Sequence, residues 1–204
     1  MAPEGSGIYQ ALVCYKAAAD RPQRAWRRAV LAAMLRRFLG IHGRCLNRAG
    51  WDVTCTVPSL RGRAGHHPLA LVVAQACRQG SPGTGALPPL VDVVRPGPAA
   101  GAALAGMARA DAFCVDRRAV EGRRVLLVDD VCTSGAHAQS ARAALVLSGA
   151  TRVDTVVVGR RIQRGWPDNQ AILEWASCAE HRWDPWRCAR CAPDVTAPDV
   201  TGST

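Results

Sequence analysis

The sequence predicts an α/β fold, a doubly wound, mostly parallel sheet flanked by helices with a small C-terminal appendage. Strand-like segments at 52–57, 90–94, 123–128 and 153–158 alternate with helix-like segments at 25–39, 68–77 and 136–147. That order suits a parallel sheet with helical crossovers. The run Val125-Leu126-Leu127-Val128 is apolar without alternation, as a strand covered on both faces should be. A chain of 204 residues is long enough for one good core.

Each element has its own local reason. Residues 1–7 are rich in Gly, Pro and Ser and read as loose, and 8–15 read as a short strand or a turn of helix. From 25 to 39 the spacing is helical, with Trp26, Ala29, Val30, Ala33, Met34 and Phe38 apolar against Arg27, Arg28, Arg36 and Arg37. That arginine face fits a solvated surface better than a nucleic-acid contact. Residues 52–57 form a strand bounded by Pro58, and 68–77 a helix with Leu69, Leu71, Val72, Val73 and Ala76 apolar. The stretch 79–86 is a loop by its Gly, Ser and Pro content. A second strand follows at 90–94, then a small-residue stretch at 96–106 that reads as a mobile loop leading into a weak helix. Strand 123–128, helix 136–147 ended by Gly149, and strand 153–158 complete the pattern. No internal repeat is present.

The chemistry concentrates at residues 125–136. Four apolar residues run into Asp129 and Asp130, then into Val131-Cys132-Thr133-Ser134-Gly135-Ala136. The C-terminal edge of a parallel sheet is where ligands bind in open α/β folds. A Thr-Ser-Gly turn opening a helix offers hydroxyls and backbone N–H groups to a phosphate. The two acids would repel a phosphate, so they fit either a ribose diol or a divalent cation.

This run resembles the binding motif of type I phosphoribosyltransferases, whose substrate is phosphoribosyl pyrophosphate (PRPP). The resemblance implies that Asp129 and Asp130 contact the ribose hydroxyls, and that Thr133, Ser134, Gly135, Ala136 and His137 wrap the 5′-phosphate. His137 stands where the family often has Ser or Thr.

Upstream, the strand at 52–57 ends in Val57-Pro58-Ser59 and leads to Leu60-Arg61-Gly62-Arg63. Glycines let a backbone approach an anion, and arginine forks suit phosphate oxygens. In the family a loop in this place holds the pyrophosphate, which implies that role for Ser59, Arg61, Gly62 and Arg63. His66 and His67 fit a helix cap as well as a ligand contact. The order Tyr15-Lys16, Val57-Pro58-Ser59, then Ala112-Phe113 before the PRPP run resembles the ComF-like branch, over roughly residues 8–160. Lys16, the sole lysine, reads as structural or surface rather than catalytic. Residues 95–109 stand where the family has a loop that covers the active site and excludes water; here the segment is rich in Gly and Ala.

Near the C-terminus, Cys178-x-x-His181 and Cys188-x-x-Cys191 have the spacing of a zinc knuckle. Each pair can bite one ion, and four ligands with no vacancy make a structural Zn2+ site. Trp175, Trp183 and Trp186 lie beside it. The family usually carries its cysteine cluster at the N-terminus. The remaining cysteines read mostly as small buried hydrophobes.

Net charge is +10, which suits a substrate with several phosphate charges. Of the 26 basic residues only Lys16 is a lysine, a bias that also matches a GC-rich coding sequence. The opening residues MAPEGSGIYQ lack a basic segment followed by an apolar one. No apolar run approaches a membrane span. With nine cysteines, this leads to the expectation of a cytoplasmic protein without membrane contact.

The expected organisation is a phosphoribosyltransferase-like domain at 8–170, a zinc knuckle at 171–192 and a disordered tail at 193–204. The expected function, implied by the resemblance, is phosphoribosyl transfer from PRPP with Mg2+ to a nitrogen acceptor, releasing pyrophosphate. The alternative is a non-catalytic PRPP- or nucleotide-binding protein with a nucleic-acid role, nucleic acid being the less favoured partner. A homodimer is compatible with either. The acceptor leaves no short signature, and no residue stands out as a general base.

Overall fold

The structure is a computed structural model that describes residues 2–3, 7–16, 20–59, 68–78, 87–162, 165 and 167–178. In chain order the elements are β1 (Ala2–Pro3), α1 (Gly7–Cys14), α2 (Arg21–Leu46), β2 (Val53–Thr56), α3 (Pro68–Arg78), β3 (Val94–Pro96) and α4 (Ala100–Leu104). A single 3-10 turn (Ala110–Ala112) leads to β4 (Phe113–Val115), α5 (Arg117–Val120), β5 (Arg124–Cys132), α6 (Ala136–Leu147), β6 (Arg152–Ile162) and α7 (Pro167–Ser177). The main sheet has the order β1-β6-β5-β2, with every neighbouring pair parallel. A parallel bridge between Thr54 and Leu90 continues it beyond β2. Strands β3 and β4 form a separate antiparallel pair.

Strand β5 is central, and its pleat divides the core in two. Leu126 and Val128 pack with Leu12 and Tyr15 of the α1 end, Leu31 and Leu35 of α2, and Leu69 and Val72 of α3. Val125 and Leu127 face the other way, onto Ala141 and Leu145 of α6 and onto Val94 and Phe113 of the small sheet. Successive side chains of a strand point to opposite faces. An unbroken apolar run is therefore what a strand covered on both sides needs. Leu126 and Leu127 are fully buried, and cutting either to Ala would cost about 2–5 kcal/mol. The expected α/β class with a mostly parallel sheet and helices on both faces is what the chain adopts.

Several expectations need correction. Of the two readings open for 8–15, a short strand or a turn of helix, the helix is the one adopted, in α1, which ends at Cys14. The expected loose start includes Ala2 and Pro3, which pair with Arg161 and Ile162 of β6. Helix α2 is longer than 25–39 at both ends. It continues through Gly40 and Gly43 because its far turns bury His42 and pack on neighbouring elements, and packing outweighs glycine's helix cost.

The segment 90–94 is divided between two sheets. Pro89 and Val91 exchange backbone bonds with Thr54, while Val94 begins a strand that pairs with β4 instead. The stretch 96–106 contains the short helix α4, and Gly97 passes so close to the 3-10 turn before β4 that a β-carbon there would lie 2.5 Å from the Asp111 carbonyl oxygen.

Helix α7 has no counterpart among the expected elements. It crosses residue 170, where the sequence reading ends the first unit; residues 179–204 lie outside the described residues. No described helix is long and apolar enough to cross a membrane.

Candidate functional site

The sheet's C-terminal edge collects the predicted motif. Strand β5 carries Asp129 and Asp130 at its end, both only 6% exposed. A carboxylate taken out of water needs hydrogen-bond donors or a countercharge. Both are present. The Val131 N–H donates to Asp130 Oδ1 at 2.8 Å, and the Tyr15 hydroxyl donates to Asp130 Oδ2 at 2.5 Å. Lys16 Nζ makes an ion pair with the same Oδ2. The Asp130 N–H in turn donates to Asp129 Oδ1 at 2.9 Å.

The two acids consequently have different electrostatics. Burial, then the negative charge of Asp130, pushes the Asp129 carboxyl up to about 7. Burial also pushes the Asp130 carboxyl up, but the charge and hydrogen bond of Lys16, with that of Tyr15, outweigh it and hold it below the usual carboxylate range. Asp130 is thus held as the anion, and Asp129 is pushed towards its protonated form.

After Cys132 the chain turns through Thr133, Ser134 and Gly135 into α6. Gly135 is left-handed, with φ +83°, a backbone that costs an ordinary residue about 1–2 kcal/mol. Thr133 and Ser134 are exposed and Gly135 is half-buried. The Ala136 N–H points to Ser134 Oγ at 3.4 Å, and the Gln139 N–H closes the first helical ring on the Gly135 carbonyl. The loop thus meets the start of a helix of 12 residues, where backbone donors and the positive end of the helix dipole favour an anion. His137 sits half-buried in that first turn.

The neighbouring strand positions Ser59. The Val57 N–H donates to the Val128 carbonyl at 2.9 Å, so the chain leaves β2 beside the two acids, with Ser59 half-buried. Arg61, Gly62 and Arg63, the rest of the expected pyrophosphate loop, lie outside the described residues, as do His66 and His67. On the other side, the small lobe approaches the phosphate-type turn. A β-carbon on Gly106 would lie 3.9 Å from Ser134 Oγ. The Arg109 N–H donates to Ser140 Oγ of α6 at 2.9 Å, tying this lobe to the helix.

Sequence reasoning reads Lys16 as structural or surface and gives Tyr15 no site role. They follow α1 directly, and both engage Asp130 across more than a hundred residues of chain. The available signal was a polar pair closing an apolar helical segment, one member being the sole lysine. Of the expected zinc ligands, Cys178 is exposed just beyond α7, its N–H donating to the Trp175 carbonyl. His181, Cys188 and Cys191 lie outside the described residues. Among the described residues no cluster of three or more metal-ligating side chains occurs.

No family model matches the chain, and no curated protein matches it. Among solved structures it is similar to glutamine phosphoribosylpyrophosphate (PRPP) amidotransferase from B. subtilis, complexed with ADP and GMP. The identity is 22% and the TM-score 0.37, over 60% of this chain and 26% of that one. It is also similar to a structure described as the allosteric regulatory enzyme of purine biosynthesis, at 22% identity and TM-score 0.36, over 60% of this chain and 25% of that one. The chain spans about a quarter of the length of each. At such distances the site has to be read from its own residues.

Proposed function

We propose that the chain is a phosphoribosyltransferase of the type I fold, close to the ComF-like branch. It would bind PRPP with Mg2+ and transfer the phosphoribosyl group to a nitrogen acceptor. One observation carries this reading. Two buried acids end a central parallel strand and lead directly into a left-handed glycine turn at a helix start. Diol acceptors and a phosphate cradle therefore lie on one short stretch of chain, at the sheet edge where α/β folds bind ligands.

In this reading Asp129 and Asp130 accept the ribose hydroxyls. Thr133, Ser134, Gly135, Ala136 and His137 hold the 5′-phosphate, and Ser59, Arg61, Gly62 and Arg63 hold the pyrophosphate. The bond from the anomeric carbon to pyrophosphate breaks, a bond from that carbon to the acceptor nitrogen forms, and the nitrogen loses a proton. The transition state resembles an oxocarbenium ion. Fixing the diol and stabilising the departing charge are then the protein's main tasks. A well-placed electrostatic group contributes about 3–4 kcal/mol. Mg2+ arriving with the pyrophosphate would neutralise part of its charge.

Isothermal titration with PRPP and Mg2+ tests the binding claim. Saturable heat with the wild type, lost in Asp129→Ala/Asp130→Ala, is expected; unchanged binding in that variant would sink it. A pyrophosphate-release screen over nitrogenous acceptors then tests turnover.

A second reading, a non-catalytic PRPP- or nucleotide-binding protein with a nucleic-acid role, draws on α2. That helix carries Arg21, Arg24, Arg27, Arg28, Arg36, Arg37 and Arg44 with no acidic residue. Its C-terminal end opens on a cleft of about 700 Å³ lined by Arg44, Arg48 and Arg152, among others. Gel shift on single-stranded DNA at about 150 mM salt, where non-specific attraction weakens, decides against this reading if nothing is retarded.

A further inference from the structure

We propose that Tyr15 and Lys16 are positioning residues of the ligand site, which together fix Asp130 in one orientation as an ionised acceptor at the end of β5. The inference rests on the reading of that edge as a PRPP site and deepens it by assigning two residues that the motif does not include.

The geometry comes from α1. The Tyr15 N–H still bonds to the Ala11 carbonyl, so the helical turn carries this side chain onward to the sheet edge. Tyr15 is 1% exposed and packs in the apolar cluster beneath β5. Its ring is held by that packing, which aims the hydroxyl at Asp130 Oδ2. Lys16 reaches the same oxygen with a side chain that keeps 28% exposure, while the Val131 N–H takes the other oxygen. Donors on both oxygens, from two separate elements, define the plane of the carboxylate.

Stability alone is a poor reason for this arrangement. Partly exposed ion pairs contribute little, and a buried pair costs desolvation that an apolar substitute would avoid. Orientation gives it a purpose. A diol is read by carboxylate oxygens whose lone pairs point correctly, and rotation of the acid would lose that fit. Charge gives it a second purpose. A ligand with several phosphate charges would be repelled by two bare carboxylates, and the Lys16 ammonium offsets one of them. Asp129, by comparison, accepts the Asp130 N–H and lies beside its charge, with burial favouring the protonated form.

A double-mutant cycle tests the claim on the full chain, with PRPP–Mg2+ affinity as the readout. Lys16→Met should weaken binding on the order of tenfold or more, and Lys16→Arg should recover part of it. The same Lys16→Met change made on Asp130→Asn should cost almost nothing, because the residue it positions has gone. Equal losses in both backgrounds would mean that Lys16 touches the ligand itself and would overturn the positioning role. No loss in Lys16→Met would overturn it as well.

Failure of the wild type to bind PRPP would instead sink the underlying reading. The inference can then be judged in the free protein by carboxyl carbon-13 NMR. The Asp130 carboxyl, faced by Tyr15 and Lys16 from the end of α1 and by Asp129 from β5, should titrate at higher pH in Lys16→Met and in Tyr15→Phe. Unchanged titration in both variants would refute the clamp.

Discussion

The Tyr15 hydroxyl lies 2.5 Å from Asp130 Oδ2, joining residues 115 positions apart. The bond links the end of the first helix to the end of the central strand, so Asp130 is held from the fold's apolar interior as well as by the Val131 backbone. Because Lys16 adds its charge at the same oxygen, adjacent aspartates of identical chemistry acquire opposite tendencies. One is kept ionised, and its neighbour is pushed towards its protonated form. Two carboxylates set apart by their surroundings are a recurring way to divide roles within a site.

The hydrogen bond can be removed with its packing kept. Tyr15→Phe retains the buried ring and deletes only the hydroxyl, leaving a buried carboxylate short of one donor. Bonds to charged groups are worth about 1.5–3 kcal/mol, so the urea midpoint should fall by a corresponding amount with its slope unchanged. A midpoint equal to that of the wild type would show that Asp130 needs no donor from α1.

The Asp129 carboxyl gives stability a definite pH dependence. Its folded value of about 7 lies above the ordinary 3.8. Between those values the folded chain holds a proton that the unfolded chain has released. Stability from this group therefore declines as pH rises through that window and levels off above the upper value. Asp130, held low, works the other way. It stabilises above its unfolded value, and that contribution fades as pH falls towards its depressed folded value. Asp129→Asn should thus gain on the wild type progressively from about pH 4 to about pH 7 in urea denaturation. A constant offset across that range would contradict the assignment.

What was legible in the sequence follows from which interactions are local. The apolar run 125–128, the acids and the Thr-Ser-Gly turn are contiguous, and the structure keeps them contiguous on β5 and the start of α6. Helix 136–147 was legible for the same reason, since its helix-forming residues and Gly149 lie within one segment. The Tyr15–Lys16–Asp130 cluster was not, because only the packing of α1 against the sheet brings those side chains together. The segment 90–94 was misread because its valines suit any strand, and nothing local distinguishes pairing with β2 from pairing with β4. Helix α7 escaped notice because its one strongly apolar stretch, around Ile172 and Leu173, is short.

Zinc is a separate, directly measurable expectation. The spacing Cys178-x-x-His181 and Cys188-x-x-Cys191 predicts one tightly held Zn2+ per chain, bound by thiolates and an imidazole. Metal analysis of the purified protein should find it, and Cys188→Ser should lose it. Chelation should lower the melting temperature of the wild type only, since metal binding is coupled to folding. Protein purified without added metal and free of zinc would remove the knuckle from the account.

Gly135 tests the phosphate cradle through backbone geometry. At φ +83°, Gly135→Ala places a side chain in the left-handed region, costing about 1–2 kcal/mol. Its β-carbon would also press on Gln139 Nε2 at 3.3 Å. Relief of that strain would draw the turn out of shape, so PRPP affinity should fall together with the melting temperature. Gly135→Asn should be milder, because asparagine tolerates this conformation better. A control separates local strain from a general loss of glycine. A β-carbon on Gly101, in α4, would meet no atom within 4 Å, so Gly101→Ala should be neutral or stabilising by about 0.4–1 kcal/mol. If Gly135→Ala and Gly101→Ala behaved alike, the turn would not depend on a left-handed residue, and the cradle would lose its structural basis.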